Sequence, residues 1–181
     1  RHFHGHVSRL AFKGVQMRHA LWGAEVVPWF WFLTQTTDCR IFQNQTVRQI
    51  AEKIFEEMGF HEFEFKLRGQ PAQRPYCVQY RETDHAFLTR LFEEEGMYYY
   101  FRHESDRHVL VIGDHAGGYE TVGEQGIGMG SEVGKADLSD LITAWERQYS
   151  FFPGKHAHGD FNPDRPSGDM RVSEAANAEL R

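Results

Sequence analysis

At residue 46 the apolar side chains of this chain change their spacing, and that change limits what the chain can fold into. Before it, "HFHGHVSRLAF" alternates, and "VVPWFWFLTQTTDCRIF" mixes aromatic with branched residues, a composition that favours strands. After it, in "TVRQIAEKIFEEMGF", the residues Val47, Ile50, Ala51, Ile54, Phe55 and Met58 recur at i, i+3, i+4, i+7, i+8 and i+11. That is the stripe of an amphipathic helix. Thr46 and Gln49 have capping-box spacing, and Gly59 suits the left-handed position just past the helix end. Burying the stripe contributes on the order of 10 kcal/mol gross, before chain entropy is subtracted.

A second helix is expected in "CVQYRETDHAFLTRLFEEEG". Phe87, Leu88, Leu91 and Phe92 share one face, Thr83 or Asp84 is the N-cap, and Gly96 is the stop. "MYYYFRH" and "HVLVIGD", separated by the polar "ESDR", predict a β-hairpin, and "FEFKL" and "YCVQY" predict short strands between the helices. Residues 46–115 therefore read as a small α+β module of two helices and a hairpin, preceded by a β-rich segment over residues 1–45. Pro28 cannot donate to a ladder and belongs at an edge, a bulge or a strand start.

Beyond the module the material for a core thins out. Eight glycines lie between Gly113 and Gly134 with few large apolar residues, so residues 116–140 read as an extended or flexible connector. Over residues 141–181, "LITAWERQYSFF" returns to strand character, "PGKHAHGD" supplies a turn, "NPDRPSGDM" is loop-like and "SEAANAEL" is a marginal helix. No internal repeat is visible.

Composition excludes several function classes. With 40% hydrophobic and 25% charged residues over 181 positions, the chain has ordinary globular composition and is not a disordered segment. Its longest nearly unbroken apolar run, Val26 to Leu33, is far short of the roughly 20 residues a membrane-spanning helix needs. No segment has the build of a secretory signal. The net charge is −6 and no stripe of Lys and Arg stands out, which argues against nucleic acid as a partner. Cys39 and Cys77 lack a CxxC spacing. A single disulfide is open to them, but two reduced, buried thiols in a cytosol-made protein fit better. The chain opens at Arg1, without methionine and already strand-like, so a longer parent polypeptide is expected.

Three sets of residues invite a chemical reading. Glu82, Asp84 and the run Glu93-Glu94-Glu95 offer acid–base chemistry or, alternatively, the wet side of a helix. Consecutive acids step by about 100° around a helix and cannot converge on one substrate. They also crowd the negative end of the helix dipole, while Asp84 makes better sense as a cap. His2, His4 and His6 fall on one face of a strand, as a metal-ligand set requires, but no HExxH accompanies them, and His156 and His158 lie too far along the chain to be assigned as a fourth ligand. "GSEVGKA" misses the P-loop by one residue between its glycines and by Ala136 where Ser or Thr is needed, and no GxSxG occurs. No enzyme signature, cofactor site or metal site emerges.

The two long aromatic and helical stretches carry a resemblance. "VVPWFWFLTQTTDCRIFQNQTVRQIAEKIF" and "RPYCVQYRETDHAFLTRLFEEEGMYYYFRH" resemble the VgrG spike proteins of type VI secretion. The opening "RHFHGHV" and the later "LITAWERQYSFFPGKHAHGDF" resemble flanking parts of the same hub region, so the likeness covers nearly the whole chain. It implies a mainly antiparallel β fold, a partial β-barrel with the α/β module inserted, in which residues 1–45 and 141–181 supply barrel strands. It also implies a hub like that of contractile phage tails. The expected function is a non-enzymatic homotrimer, an adaptor between the hexameric Hcp tube and the membrane-puncturing needle, with baseplate components and effector or adaptor proteins as further partners. Such a protein is made in the bacterial cytoplasm, assembled in the secretion apparatus and delivered to the medium or a target cell. In this setting Trp29-Phe30-Trp31-Phe32 is expected as a strand, with one set of rings filling a barrel and the other facing a helix or a neighbouring subunit. The rival readings are a hydrolase using Glu82 and Glu93–Glu95, and a metal-binding module using His2, His4 and His6.

Overall fold

The computed structural model describes residues 2–119, 128–129, 141–142, 144–151 and 153–175. Contacts divide the chain into two units, residues 1–122 and 123–181. The first unit opens with a long antiparallel hairpin, β1 (His6–Gln16) and β2 (His19–Val27). A short 3-10 helix over Trp29–Thr34 follows, then β3 (Thr37–Gln45) and α1 (Val47–Glu57). The unit continues through β4 (Phe63–Lys66), β5 (Arg74–Thr83), α2 (Asp84–Glu94) and the hairpin β6 (Tyr98–His103) and β7 (His108–Gly113).

Both helices start and stop where the sequence predicts. Thr46 and Gln49 close a reciprocal capping box on α1, the Thr46 hydroxyl accepting from the Gln49 N–H at 3.2 Å. Gly59 (φ +76°) and Gly96 (φ +68°) take the left-handed position that L side chains resist. Each lets the next residue reach back five positions, Phe60 N–H to Phe55 O at 2.8 Å and Met97 N–H to Phe92 O at 2.7 Å. On α2 the cap is Thr83, whose hydroxyl accepts from Ala86 N–H at 3.1 Å.

The core lies between the two helices and the three-stranded sheet, ordered β4-β7-β6. Strand β4 pairs parallel to β7, and β6 pairs antiparallel to it. The central strand β7 is buried along its whole length, which suits its near-continuous apolar run. Val47, Ile50, Ala51, Ile54 and Phe55 of α1 face Phe87, Leu88, Leu91 and Phe92 of α2 across one packed cluster. Trp29, Phe30, Leu33 and Phe42, from before residue 46, belong to the same cluster.

The aromatic run departs from expectation. Trp29–Phe32 is the first part of a 3-10 helix rather than a strand. Pro28 sits just past the end of β2 as its N-terminal cap, where a fixed φ of −72° fits. The coil buries Trp29, Phe30 and Leu33 together, with Trp29 stacked on Phe60 at 4.7 Å, and leaves Trp31 and Phe32 half-buried. A continuous apolar run reads alike as strand or buried helix, and packing against α1 and α2 decided it.

The second unit contains β8 (Gly128–Met129) and β9 (Leu141–Ile142), paired parallel, and the antiparallel pair β10 (Lys155–Gly159) and β11 (Arg171–Ala175). "KHAHG", expected as a turn, is β10, and Ser173–Ala175, expected to begin a helix, ends β11. The turn falls instead on Asn162–Arg165, where Pro163 takes the position its ring favours and Arg165 N–H reaches Asn162 O at 3.1 Å. The strand expected in "LITAWERQYSFF" is confined to β9, and residues 144–151 have no regular structure. Most of the glycine-rich connector lies outside the described residues.

Candidate functional site

Three of the carboxylates proposed for acid–base chemistry, Glu82, Glu94 and Glu95, are bound by arginines. Glu82 accepts from Arg90 at 2.7 Å, and Glu94 from Arg90 at 3.2 Å and Arg74 at 2.6 Å. Glu95 accepts from the other Arg74 nitrogen at 2.8 Å. Partial burial alone would raise the Glu94 carboxyl, but the hydrogen bonds and charges of Arg74 and Arg90 hold it below the usual range. A general acid needs the opposite shift. The arginines also answer the crowding of negative charge at the end of α2.

Asp84 is not the cap. It is the first residue of α2, only 4% exposed, and accepts from Thr36 Oγ1 at 2.7 Å, Gln79 Nε2 at 2.7 Å and the Arg40 guanidinium. The buried acid therefore ties α2 to β3 and β5. Among the described residues its side-chain hydrogen-bond partners are all donors.

The histidines regroup as well. The strand begins at His6, so His2 and His4 lie in the irregular segment ahead of it rather than along one strand face. His4 turns toward the buried His108 of β7, their Nδ1 atoms 2.8 Å apart, while His2 is exposed. Among the described residues no group of three His, Cys, Asp or Glu is placed to hold a metal ion. Neither is any described helix long and apolar enough to cross a membrane.

Two apolar surfaces face water. On the β3–β5 ladder the register pairs Cys39 with Tyr80, Ile41 with Val78 and Gln43 with Tyr76. The alternate residues Phe42 and Cys77 enter the core, so Ile41, Tyr76, Val78 and Tyr80 form an exposed outer face, Tyr80 being 64% exposed. Cys39 shares that face, contrary to the expectation of two buried thiols; both thiols are free and point to opposite sides of the ladder. The second surface is the β1–β2 hairpin, where Leu10, Phe12, Val15, Trp22 and Val26 are all exposed and Phe12 meets Trp22 at 5.3 Å between ring centroids. Sequence reasoning missed the β3–β5 face. The signal was present in "YCVQY", which carries large residues at the positions that a half-buried strand leaves polar.

The sequence profile of the phage tail baseplate hub family matches residues 1–181. The chain belongs to that family. Among curated relatives of this hub chain, the type VI secretion system spike protein VgrG1a of Pseudomonas aeruginosa is 38% identical over 178 residues, covering 95% of this chain and 27% of that protein. VgrG1b of the same organism is 46% identical over 121 residues, 67% of this chain and 16% of the relative. The hub chain thus spans 27% of the length of the first of these relatives and 16% of the second. Among solved structures it is similar to the E. coli c3393 protein, with a TM-score of 0.64 and 30% identity over 67% of this chain and 35% of that one. That protein is described as a type VI secretion component with structural similarity to the T4 bacteriophage tail proteins gp27 and gp5. The mainly antiparallel sheets with packed helices agree with a hub of this kind.

Proposed function

We propose that the chain is a non-enzymatic structural module of a type VI secretion spike. In this reading it associates as a homotrimer and forms the adaptor between the Hcp tube and the puncturing needle. The observation that carries it is a densely packed interior beside two apolar strand surfaces left in water. A two-stranded ribbon with apolar side chains on it is marginal by itself, so such surfaces mark places of association. An axial push is transmitted by stiff modules and wide contacts, which the helix–sheet core and these faces provide. Family membership over residues 1–181 and the likeness to VgrG spike proteins support the same assignment. Baseplate components and effector or adaptor proteins are the further partners this reading expects. Cytoplasmic synthesis followed by export through the apparatus is its expected route.

The hydrolase reading finds no support in the geometry of Glu82 and Glu94, each bound to arginine, and the metal reading finds none in the placement of His2, His4 and His6. Multi-angle light scattering of the complete gene product tests the proposal. A trimer that binds purified Hcp hexamers is expected. A stable monomer at micromolar concentration overturns it.

A further inference from the structure

Both strands of the β1–β2 hairpin leave the core at one histidine. The ladder's last rung pairs His6 with Val27, and Gly5 packs so closely on Val26 and Val27 that a Cβ there would lie 2.9 Å from the Val27 carbonyl oxygen. Two residues past β2, the Trp29 N–H donates to His108 Nε2 at 2.8 Å. Two residues ahead of β1, His4 Nδ1 lies 2.8 Å from His108 Nδ1. His4 is also clasped by His103 of β6, whose Nδ1 is 3.2 Å from the His4 backbone nitrogen and 3.0 Å from its carbonyl oxygen. The base of the hairpin is therefore fastened to the β6–β7 hairpin by imidazoles.

These contacts require a particular charge state. Because His108 Nε2 accepts from Trp29, its single proton in the neutral ring is on Nδ1, which then donates to His4 Nδ1. A protonated His108 carries N–H on both nitrogens and turns one of them against the Trp29 N–H. A protonated His4 likewise turns an N–H against the His108 Nδ1–H. The rings of His4, His6 and His103 lie 5.1, 5.8 and 6.0 Å from that of His108, so cations formed on them oppose one another. His108 itself is only 2% exposed. The other charged or titratable groups around the adjoining cleft are His61, Glu62, Asp106 and Arg107, and Arg107 binds Glu104 at 2.6 Å and Glu62 at 3.4 Å. Among the described residues, the hydrogen bonds of His4, His103 and His108 go to one another and to Trp29, with no carboxylate among them.

We propose that His4, His6, His103 and His108 form an acid-opened latch, closed while neutral, that sets the direction in which the β1–β2 hairpin projects from the core. Opening it frees residues 2–6 and the Trp29 N–H, and lets the exposed apolar surface of the hairpin reorient. Burial, and then the neighbouring His4, His6 and His103, push His108 down to about 4 from an ordinary value of 6.5. The released state therefore takes up the proton first as pH falls. The latch holds fully above 6.5 and gives way progressively between 6.5 and about 4. At pH 4.5 the open population has then risen on the order of 100-fold relative to neutral pH.

Nitrogen-15 NMR on the chain from pH 7.5 to 4.5 tests this. At pH 7.5 His108 should show the Nδ1–H tautomer. On acidification, exchange of the Trp29 amide should rise on the order of 100-fold beyond its intrinsic pH dependence. The heteronuclear NOE of residues 6–27 should fall while that of α1 is unchanged. His108→Gln retains an acceptor for Trp29 but cannot titrate, and should abolish both responses. Should that variant fail to fold, His4→Gln, which removes one of the opposing cations at a partly exposed position, should shrink the exchange response severalfold. An Nε2–H tautomer, an acid response shared equally by α1, or a full response in either variant overturns the proposal.

Discussion

Replacing Asp84 separates an acid that holds the fold from one kept for chemistry. The side chain is 6% exposed and accepts three side-chain hydrogen bonds, from Thr36, Gln79 and Arg40. Asp84→Ala leaves these donors facing a void, and removing one partner of a buried pair costs roughly 3–5 kcal/mol. Arg40 keeps 20% of its side chain in water and retains Glu57 at 2.7 Å, so its charge is not stranded. The lower end, about 3 kcal/mol, is therefore expected. Asp84→Asn preserves volume and one acceptor but turns an amide N–H toward a donor, and should cost about 2 kcal/mol. Glu82→Gln, which breaks a more exposed pair with Arg90, should cost under about 1 kcal/mol. Guanidinium unfolding followed by the far-ultraviolet signal of the helices reads these values as shifts in midpoint at constant slope. Acids retained for function are held against stability, and neutralising one commonly stabilises a protein. An Asp84→Asn variant as stable as the parent, or more so, would refute the structural role argued here.

Two further outcomes are expected. Val78→Asp with Tyr80→Lys on the outer β3–β5 face should leave helical content unchanged but lower the trimer fraction of the complete gene product at least tenfold in sedimentation; unchanged assembly would place the interface elsewhere. Asp114 is drawn down to about 2 from its ordinary 3.8 by the backbone N–H groups of Arg68 and Gly69, and then by His115. Its contribution is present above about 4 and lost as pH falls toward 2, so Asp114→Asn should flatten the melting temperature across that interval, and an unchanged acid slope would count against the assignment.

Much of the α+β module was legible because its signals are local. The α1 stripe, the Thr46–Gln49 box and the two closing glycines each involve residues at most a few positions apart, and all stand in the structure as read. The errors cluster where a partner lies far along the chain. The cap of α2 was open between Thr83 and Asp84; Thr83 took it, while Thr36 and Arg40, distant along the chain, claimed the acid. The three amino-terminal histidines looked like a strand face until His108 drew His4 out of it. "PGKHAHGD" read as a turn, but pairing with residues 171–175 made Lys155–Gly159 a strand.

By itself, then, the sequence determined where the helices begin and end, which of their faces are oily, and to which family the chain belongs. Those properties depend on side-chain spacing within a turn or two and on strings of residues that survive in relatives. Only the tertiary structure decided that Trp29–Phe32 coils rather than extends, that one side of β3–β5 stays wet, and that a buried histidine fastens both ends of a hairpin. Each of those outcomes is set by contacts between residues far apart along the chain, such as Trp29 with His108, which no local pattern encodes.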